Sequence, residues 1–463
     1  MRKGMEDAMN RRELRRQRRR RNQIIAYLVA GLILAAILFG CVFVIRSISG
    51  AAQGGNGGVQ EEDGGAAGVE EPTGETASEQ TETSGQSETP EPTDISAQQE
   101  NSAEEGSIQQ ETSGEETLEA QIRGYVEAMT LEEKVAGLFI ITPEQLTGVG
   151  TAVQAGESTR EALEQYPVGG LVYFAKNIQS EQQLKEMLAN TASYSRYPLF
   201  LGVDEEGGQV ARVAKTLGLE NVGPMAEIGA SGDVNAAYAA GAAIASYLKE
   251  YGFNLDFAPV ADVLTNPDNT VIGDRSFGSD PALVSQMVAA AVRGFQENGV
   301  NACIKHFPGH GDTAGDSHDG QVETDRTPEE MQAAEFLPFT AGIEAGVDMV
   351  MVGHISAPGL TDGDKVPASM NEKIITGVLR EQLGYNGVVI TDAMNMSAIT
   401  QYYAADEAAV KALKAGADMI LMPEDFTTAY NGVIAAVQDG TIAEERVNDS
   451  LKRIFRVKYG AGT

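Results

Sequence analysis

Histidine, which titrates near neutral pH, is concentrated in one part of this 463-residue chain. All four histidines lie between residues 306 and 354, and three of them fall in the segment KHFPGHGDTAGDSH, residues 305–318. Three glycines and Pro308 interrupt any regular element there, so the segment is predicted to be a loop. Imidazole can transfer protons or bind a metal ion, and the cluster therefore indicates one of these two chemistries.

The loop contains one residue pair suited to each chemistry. In an extended segment Asp316 and His318 point the same way, so the carboxylate could fix the tautomer of the imidazole and raise its basicity. The H-x-x-x-H spacing of His306 and His310 binds a metal only on a helix, and Pro308 excludes that helix. The sequence favours acid–base catalysis, and leaves open a purely structural role for these histidines.

Polar residues also end several apolar runs elsewhere in the chain. They are Asp204, Asp262, the pair Lys305 and His306, His354 and Asp392. One polar residue at the end of a strand is ordinary, whereas five strands that end this way indicate a functional site.

The elements that would position these residues are eight short apolar runs in the last 346 residues. The runs cover 137–141, 170–175, 199–203, 253–260, 303–307, 348–354, 388–392 and 417–423. Most are separated by segments of helical period, such as 181–194, 234–251, 281–298 and 328–345, a pattern typical of a parallel sheet covered on both faces. Before them, Thr130 and Glu133 are spaced as a capping box that begins a helix. We predict an α/β fold, a (β/α)₈ TIM-type barrel, with an open doubly wound sheet as the alternative.

Five motifs of this region resemble the glycoside hydrolase family 3 β-N-acetylhexosaminidases of the NagZ type. Besides KHFPGHGDTAGDSH, the motifs are VDEEGGQVAR at 203–212, DFAPVAD at 256–262, GDRSFG at 273–278 and GVVITDAMN at 387–395. The resemblance covers essentially all of residues 120–460. The motifs agree with the family in type and order, which makes the set specific although no single motif would be.

The resemblance implies roles for eight residues. Asp392 matches the catalytic nucleophile, His318 matches the general acid/base, and Asp316 matches its partner carboxylate. Five more match the positions that hold the sugar, namely Asp204, Arg212, Arg275, Lys305 and His306. The chain carries no Walker, dinucleotide-binding or zinc signature, so we expect that it needs no cofactor and no metal.

These roles imply a retaining exo-β-N-acetylglucosaminidase that acts on peptidoglycan fragments or related amino-sugar chains. Asp392 would form a glycosyl-enzyme, while His318 would protonate the departing sugar and then activate water. Three alternatives stay open at this point: a β-glucosidase or phosphorylase of the same family, a metal-dependent barrel hydrolase, and a wall-binding module without activity.

The first 117 residues have a different composition. Residues 1–46 hold 11 Lys and Arg against three acids, whereas residues 47–117 hold 17 acids and no Lys or Arg. The net charge of the whole chain is −33, which argues against nucleic acid as a partner.

Residues 24–45 form an uncharged run of 22 residues, long enough to cross the ~30 Å hydrocarbon layer as a helix. The arginine-rich flank predicts a cytoplasmic tail (1–23), a single-pass membrane anchor (24–45) and an extracellular remainder. A cleaved signal peptide and lipid attachment at Cys41 are the alternatives. Residues 46–117 are predicted to be a disordered linker, because they have almost no large apolar side chains. The catalytic domain is then 118–463.

Overall fold

The structure, a computed structural model, describes residues 116–315 and 320–460. The predicted tail (1–23), the predicted anchor (24–45) and all but the last two residues of the predicted linker lie outside the described residues. Residues 116 and 117, which the sequence assigned to the linker, already belong to a helix that continues to residue 128. Among the described helices, none has the length and apolarity needed to cross a bilayer.

Eight parallel strands form a nearly closed barrel, in the order β1-β2-β3-β6-β7-β9-β11-β12. The strands, in chain order, are β1 Phe139–Ile141, β2 Gly170–Tyr173, β3 Phe200–Val203, β4 Glu205–Gly207, β5 Val210–Ala211, β6 Leu255–Asp256, β7 Asn301–Phe307, β8 Val322–Glu323, β9 Met349–Val352, β10 Ile355–Ser356, β11 Val388–Thr391 and β12 Ile420–Leu421. β12 pairs with β1, and Ile390 of β11 bridges to Met419 beside β12. The predicted eight-stranded α/β barrel is confirmed, and the open doubly wound sheet is wrong.

Helices follow each barrel strand and cover its outer face. The α-helices are 116–128, Leu131–Ala136, Pro143–Thr147, Glu157–Gln165, Glu181–Tyr194, Arg212–Leu217, Met225–Ser231, Val234–Tyr251, Pro281–Glu297, Pro328–Ala333, Phe336–Glu344, Ser397–Thr400, Ala405–Ala415, Phe426–Gln438 and Glu444–Gly460. Short 3₁₀ turns cover Ala175–Asn177, Gly273–Arg275, Pro358–Leu360 and Ala368–Met370, and a π-helix covers Lys373–Gln382.

The strands are apolar because both of their faces are buried. Every residue of β2, β9 and β11 is buried, with side chains that fill the barrel or contact the surrounding helices. The helices Val234–Tyr251 and Pro281–Glu297 approach each other so closely that a Cβ on Gly294 would lie 2.3 Å from a backbone oxygen. This close contact packs two neighbouring helices of the outer layer against each other.

Two predicted elements are shorter or more divided than the sequence indicated. The run 253–260 gives only a two-residue strand, since Pro259 has no N–H to donate to the ladder, and pairing resumes as a single bridge at Val260. The segment 328–345 breaks at Ala334 into two helices. Pro338 explains the break, because its ring conflicts with the carbonyl of the residue four positions earlier.

The loops at the carboxyl ends of the strands carry extra structure. The antiparallel hairpin β4–β5 follows β3, and a parallel ribbon pairs β8 with β10. The ribbon joins the loop after β7 to the loop after β9. These insertions build walls around the end of the barrel where the predicted site residues lie.

Candidate active site

A cavity of about 260 Å³ lies at the carboxyl ends of the strands. Six of the eight residues predicted from the sequence line it. They are Asp204, Arg212, Arg275, Lys305, His306 and Asp392. The other two, Asp316 and His318, lie outside the described residues, so their roles stay predictions.

Strand ends bring these side chains together, as the sequence analysis expected. Asp204 comes directly after β3, Asp392 comes directly after β11, and Lys305 and His306 lie near the end of β7. The strands of a parallel barrel end at the same face, so residues nearly 200 positions apart in the chain share one cavity.

A buried carboxylate that the sequence analysis left without a role holds two of the cations. Glu206 accepts two hydrogen bonds from Arg275, with Nε–Oε2 2.7 Å and Nη2–Oε1 2.8 Å. Its Oε1 also lies 2.6 Å from the ammonium of Lys305. Lys305 donates a further bond of 2.8 Å to Asp204. Two acids and two bases thus form one compact, charge-balanced cluster.

The cluster favours the charged forms of Glu206 and Lys305. Burial alone would raise the pKa of Glu206, but Lys305 and Arg275 outweigh burial and hold that pKa below its usual range. Burial would lower the pKa of Lys305, and the neighbouring Asp204 and Glu206 raise it instead. The Asp204 side chain keeps 24% of its surface exposed, whereas Glu206 keeps 2%. Asp204 is therefore the carboxylate of the cluster that can accept hydrogen bonds from a ligand.

A second buried carboxylate, Asp262, orients the histidines. Its Oδ2 lies 2.7 Å from Nδ1 of His306, and its Oδ1 accepts the backbone N–H of His310 at 2.7 Å. Burial would raise the pKa of Asp262, but His306 and His310 hold it below the ordinary value. Because an ionised Asp262 can only accept, His306 donates through Nδ1 and keeps Nε2 for a ligand in the cavity.

The carboxylate of Asp392 is charged and fixed in direction. Its Oδ1 accepts the N–H of Ala393 at 2.7 Å, and its own N–H donates to the carbonyl of Val352 in β9 at 2.8 Å. Burial would raise the pKa of Asp392, but His354, His306, the Ala393 N–H and Lys305 together lower it. Such a carboxylate remains an anion at mildly acidic pH, as a nucleophile must.

His354, one of the groups that lower the pKa of Asp392, does not line the cavity. It is fully buried, with Nδ1 2.8 Å from Oγ of Ser369. Its Nε2 lies 3.0 Å from the carbonyl oxygen of Ala393, which can only accept, so this nitrogen carries the proton. His310, by contrast, lines the cavity, and its Nδ1 lies 2.8 Å from Oγ1 of Thr313.

Arg212 differs from the other cavity cations because no carboxylate of the described residues lies within 4.0 Å of its guanidinium. Its buried Nε makes no hydrogen bond to any described residue. Arg212 begins the helix Arg212–Leu217, whose first N–H groups donate to buried Glu205, from Val213 at 2.7 Å and from Ala214 at 2.9 Å. The helix is thus anchored, with Arg212, which lines the cavity, as its first residue.

The rest of the cavity lining is largely apolar. It consists of Val172, Phe174, Met351, Met396, Leu421 and Met422, among others. Met422 has φ 41°, a left-handed conformation that costs free energy for any residue with a Cβ. The cavity therefore combines charged and apolar lining residues, as a site for an amphipathic ring requires.

Sequence reasoning missed the roles of Glu206 and Asp262, although both lie in quoted motifs. In VDEEGG, Glu206 stands two residues after Asp204, the spacing that places two side chains on one side of an extended segment. That signal was available. Nothing local indicated which cations each carboxylate would pair with.

Comparison with known proteins agrees with this site. The sequence profile of the glycosyl hydrolase family 3 N-terminal domain matches residues 130–457. The chain belongs to glycosyl hydrolase family 3. The match spans the whole barrel and every motif quoted above.

Named relatives identify the branch of the family. A β-hexosaminidase from Stenotrophomonas maltophilia is 34% identical over 335 residues, which cover 67% of this chain and 97% of the relative. β-Hexosaminidase A from Pseudoalteromonas piscicida is 35% identical over 64% of this chain. This chain is therefore a family 3 glycoside hydrolase of the β-N-acetylhexosaminidase type.

A solved structure is also similar. A family 3 β-N-acetylglucosaminidase from a Paenibacillus species superimposes with a TM-score of 0.67 and 37% identity, over 73% of this chain and 64% of that protein. The chain likewise spans only 54% of the Pseudoalteromonas enzyme. Both relatives thus contain regions that the match with this chain does not cover.

Proposed function

We propose that the chain is a retaining exo-β-N-acetylglucosaminidase that removes N-acetylglucosamine from the end of peptidoglycan fragments or related amino-sugar chains. One observation carries the proposal: the anionic Asp392 shares a small cavity with Asp204, Arg212, Lys305 and His306. An anion beside several hydrogen-bonding groups is what cleavage of a glycosidic bond requires, since the transition state resembles an oxocarbenium ion.

In the first step Asp392 attacks the anomeric carbon and forms a glycosyl-enzyme ester, and the bond to the leaving oxygen breaks. Neighbouring cations that lower the pKa of Asp392 keep it ionised for this attack. The charged groups on Asp204, Arg212 and Lys305 make strong hydrogen bonds to sugar hydroxyls. They hold the ring so that the carboxylate meets the correct face.

The proton for the leaving oxygen is assigned to His318, supported by Asp316, on the strength of the sequence motif. In the second step His318 acts as the base that activates water, and the water releases the sugar with its configuration retained. A histidine in this role implies an activity optimum from mildly acidic to neutral pH.

A mechanism-based trap tests the nucleophile. A 5-fluoro N-acetylglucosaminyl fluoride should label the protein at Asp392, as read by mass spectrometry of peptides. Asp392→Ala should lower kcat on the order of 10⁴-fold or more, and azide should partly restore turnover by replacing the carboxylate. A label on any other residue contradicts the assignment.

Product analysis separates hydrolysis from the alternatives. Proton NMR of early product should show the β-anomer of free N-acetylglucosamine, with no sugar phosphate when phosphate is added. A sugar phosphate as the main product would indicate a phosphorylase. Equal rates on glucosides and N-acetylglucosaminides would indicate a β-glucosidase.

We further propose that residues 24–45 anchor the enzyme in the cell membrane and that 46–117 space the extracellular catalytic domain from it. The support is the charge pattern of the sequence, an apolar run after an arginine-rich flank. Protease added to intact cells should release the activity, and deletion of 1–45 should remove it from the membrane fraction. Protection of the activity in intact cells would contradict this orientation.

A further inference from the structure

A second cavity, of about 290 Å³, lies among the loops at the same end of the barrel. Its lining comes from three loops. Gln321 follows β7, the segment from Asp364 to Pro367 follows β9, and Tyr402 with Tyr403 follows β11. The strands β7, β9 and β11 are the ones that carry or support His306, His354 and Asp392.

Two structural links connect this second cavity to Asp392. From Met396, which lines the first cavity, the chain continues through helical turns to Tyr402, six residues or roughly 9 Å later. On the other side Pro367 lines the second cavity, and Ser369 two residues later hydrogen-bonds His354, which contacts Ala393. The loop after β11 therefore contributes to both cavities, and the loop after β9 connects the second cavity to His354.

The lining has the chemistry of a sugar site. Tyr402 is 51% exposed, a large fraction for an aromatic side chain, and its hydroxyl makes no hydrogen bond to any described residue. An exposed aromatic ring offers an apolar face to the C–H groups of a pyranose, and the hydroxyl offers a polar edge. Gln321 is held in place by donation to Oγ of Ser356 at 2.7 Å and to the carbonyl of Lys365 at 2.6 Å.

The charges in this cavity favour a neutral ligand. The ammonium of Lys365 is already paired with Glu323, with Nζ 2.7 and 2.9 Å from its two oxygens. Asp364 adds a negative charge that would repel the carboxylates of a peptide. No unpaired cation of the described residues lines the cavity to attract such groups.

We infer that this second cavity is a subsite for a neutral saccharide, namely the part of the substrate chain that leaves when the terminal sugar is cleaved. The inference rests on the proposed function, in which the terminal sugar occupies the first cavity. Tyr402 stacks on a sugar ring of the leaving chain, and Gln321 and Asp364 bind its hydroxyls.

Chain-length dependence of Tyr402 variants tests the inference. Tyr402→Ala should lower kcat/KM about tenfold on chitotetraose and leave it within about twofold on 4-nitrophenyl N-acetylglucosaminide, whose leaving group is too short to span both cavities. Tyr402→Phe should keep most of the activity on chitotetraose because the ring remains. Tyr125→Ala removes another exposed tyrosine, which lines neither cavity, and should change neither substrate.

Binding measured without turnover separates this inference from the proposed function. In the full chain with Asp392→Ala, calorimetric titration should show chitotetraose binding that Tyr402→Ala weakens about tenfold and Tyr125→Ala leaves unchanged. Unchanged binding or equal loss on both kinetic substrates would overturn the subsite. An effect confined to peptide-bearing saccharides would overturn it in favour of a peptide site. A wild-type chain that binds chitotetraose through Tyr402 but hydrolyses neither substrate would overturn the proposed function alone.

Discussion

Two buried carboxylates lie at opposite ends of the barrel. Each pairs with several cations, but the two groups of ion pairs have different roles. Glu206 lies at the carboxyl end of the strands and binds Arg275 and Lys305. Asp418 precedes β12 at the opposite end and contacts Arg380, Arg446 and Arg453. The chemistry of the pairs is the same, so the difference lies in what surrounds them.

The side chains of the Asp418 cluster form their hydrogen bonds with other groups of the protein. Ser450 donates to Asp418 at 2.7 Å, and the N–H of Val389 in β11 donates to it at 3.0 Å. Arg380 donates to the carbonyl of Gly387 at 2.7 Å, and Arg446 donates to that of Ala417 at the same distance. These bonds tie β11, the start of β12 and the final helix together where the barrel closes.

The Glu206 cluster, in contrast, lies beside a cavity whose lining includes polar groups that can bind a ligand. Asp204 is partly exposed there, and Arg212 lines the same cavity without a carboxylate partner among the described residues. An ion cluster thus stabilises the fold when its partners are all internal, and prepares a binding site when some of its donors and acceptors point into a cavity.

The largest effect is expected on stability, from a substitution in the Asp418 cluster. Asp418→Asn should lower the free energy of unfolding by about 3 kcal/mol, because three arginines lose their buried partner. The kcat/KM of the folded protein should stay within about twofold of wild type. Denaturant unfolding and assays with an aryl N-acetylglucosaminide give the two values.

Asp449→Asn is the matched control, since Asp449 lies on the same final helix but pairs with Lys452 at the surface. Its effect on the unfolding free energy should stay below about 0.5 kcal/mol. A large loss of activity in Asp418→Asn at unchanged stability would contradict the distinction between the two clusters.

The second largest effect is expected on activity, from a substitution in the Glu206 cluster beside the cavity. Glu206→Gln should lower kcat/KM about 100-fold, because Lys305 and Arg275 lose the charge that orients them toward the sugar. Its cost in stability should be smaller than that of Asp418→Asn, since Asp204 still pairs with Lys305 and the cavity admits water. Glu250→Gln, at an exposed pair with Lys185, should change neither quantity. If Glu206→Gln kept its activity, the Glu206 cluster would be structural, as the Asp418 cluster is.

The smallest effect is expected on the pH dependence of stability, from a lysine that pairs with no carboxylate of the described residues. Lys458 lies over the ring of Phe200, the first residue of β3, with its Nζ 4.8 Å from the ring centroid. Burial lowers the pKa of Lys458 to about 7. The unfolded chain therefore binds more protons than the folded protein between pH 7 and about 10.5, and stability from this residue rises with pH across that range.

Lys458→Met should raise the free energy of unfolding by about 1 kcal/mol at pH 7, and this gain should shrink as the pH approaches 10. Thermal unfolding of the protein at several pH values measures it. Lys452→Met, on the exposed side of the same helix, should show no such trend. A gain that grows with pH would have the wrong sign for a lysine with a lowered pKa.

Much of the barrel could be predicted from local pattern. All eight apolar runs overlap a barrel strand, and the helices predicted at 181–194 and 234–251 have those bounds. Thr130 and Glu133 form the predicted capping box through two reciprocal hydrogen bonds. The helical period of 328–345 predicts a single helix, whereas Pro338 divides that segment at Ala334.

The amino-acid sequence by itself determined the strands, the helices and the end of the barrel at which Asp204, Lys305 and Asp392 collect. These follow from local periodicity and from the rule that parallel strands end on one face. Only the tertiary structure decided the pairing of charges. Lys305 and Asp204 are 101 residues apart, and their contact depends on the register of β3, β6 and β7. No local pattern specifies such a register, because it arises when the barrel packs as a whole.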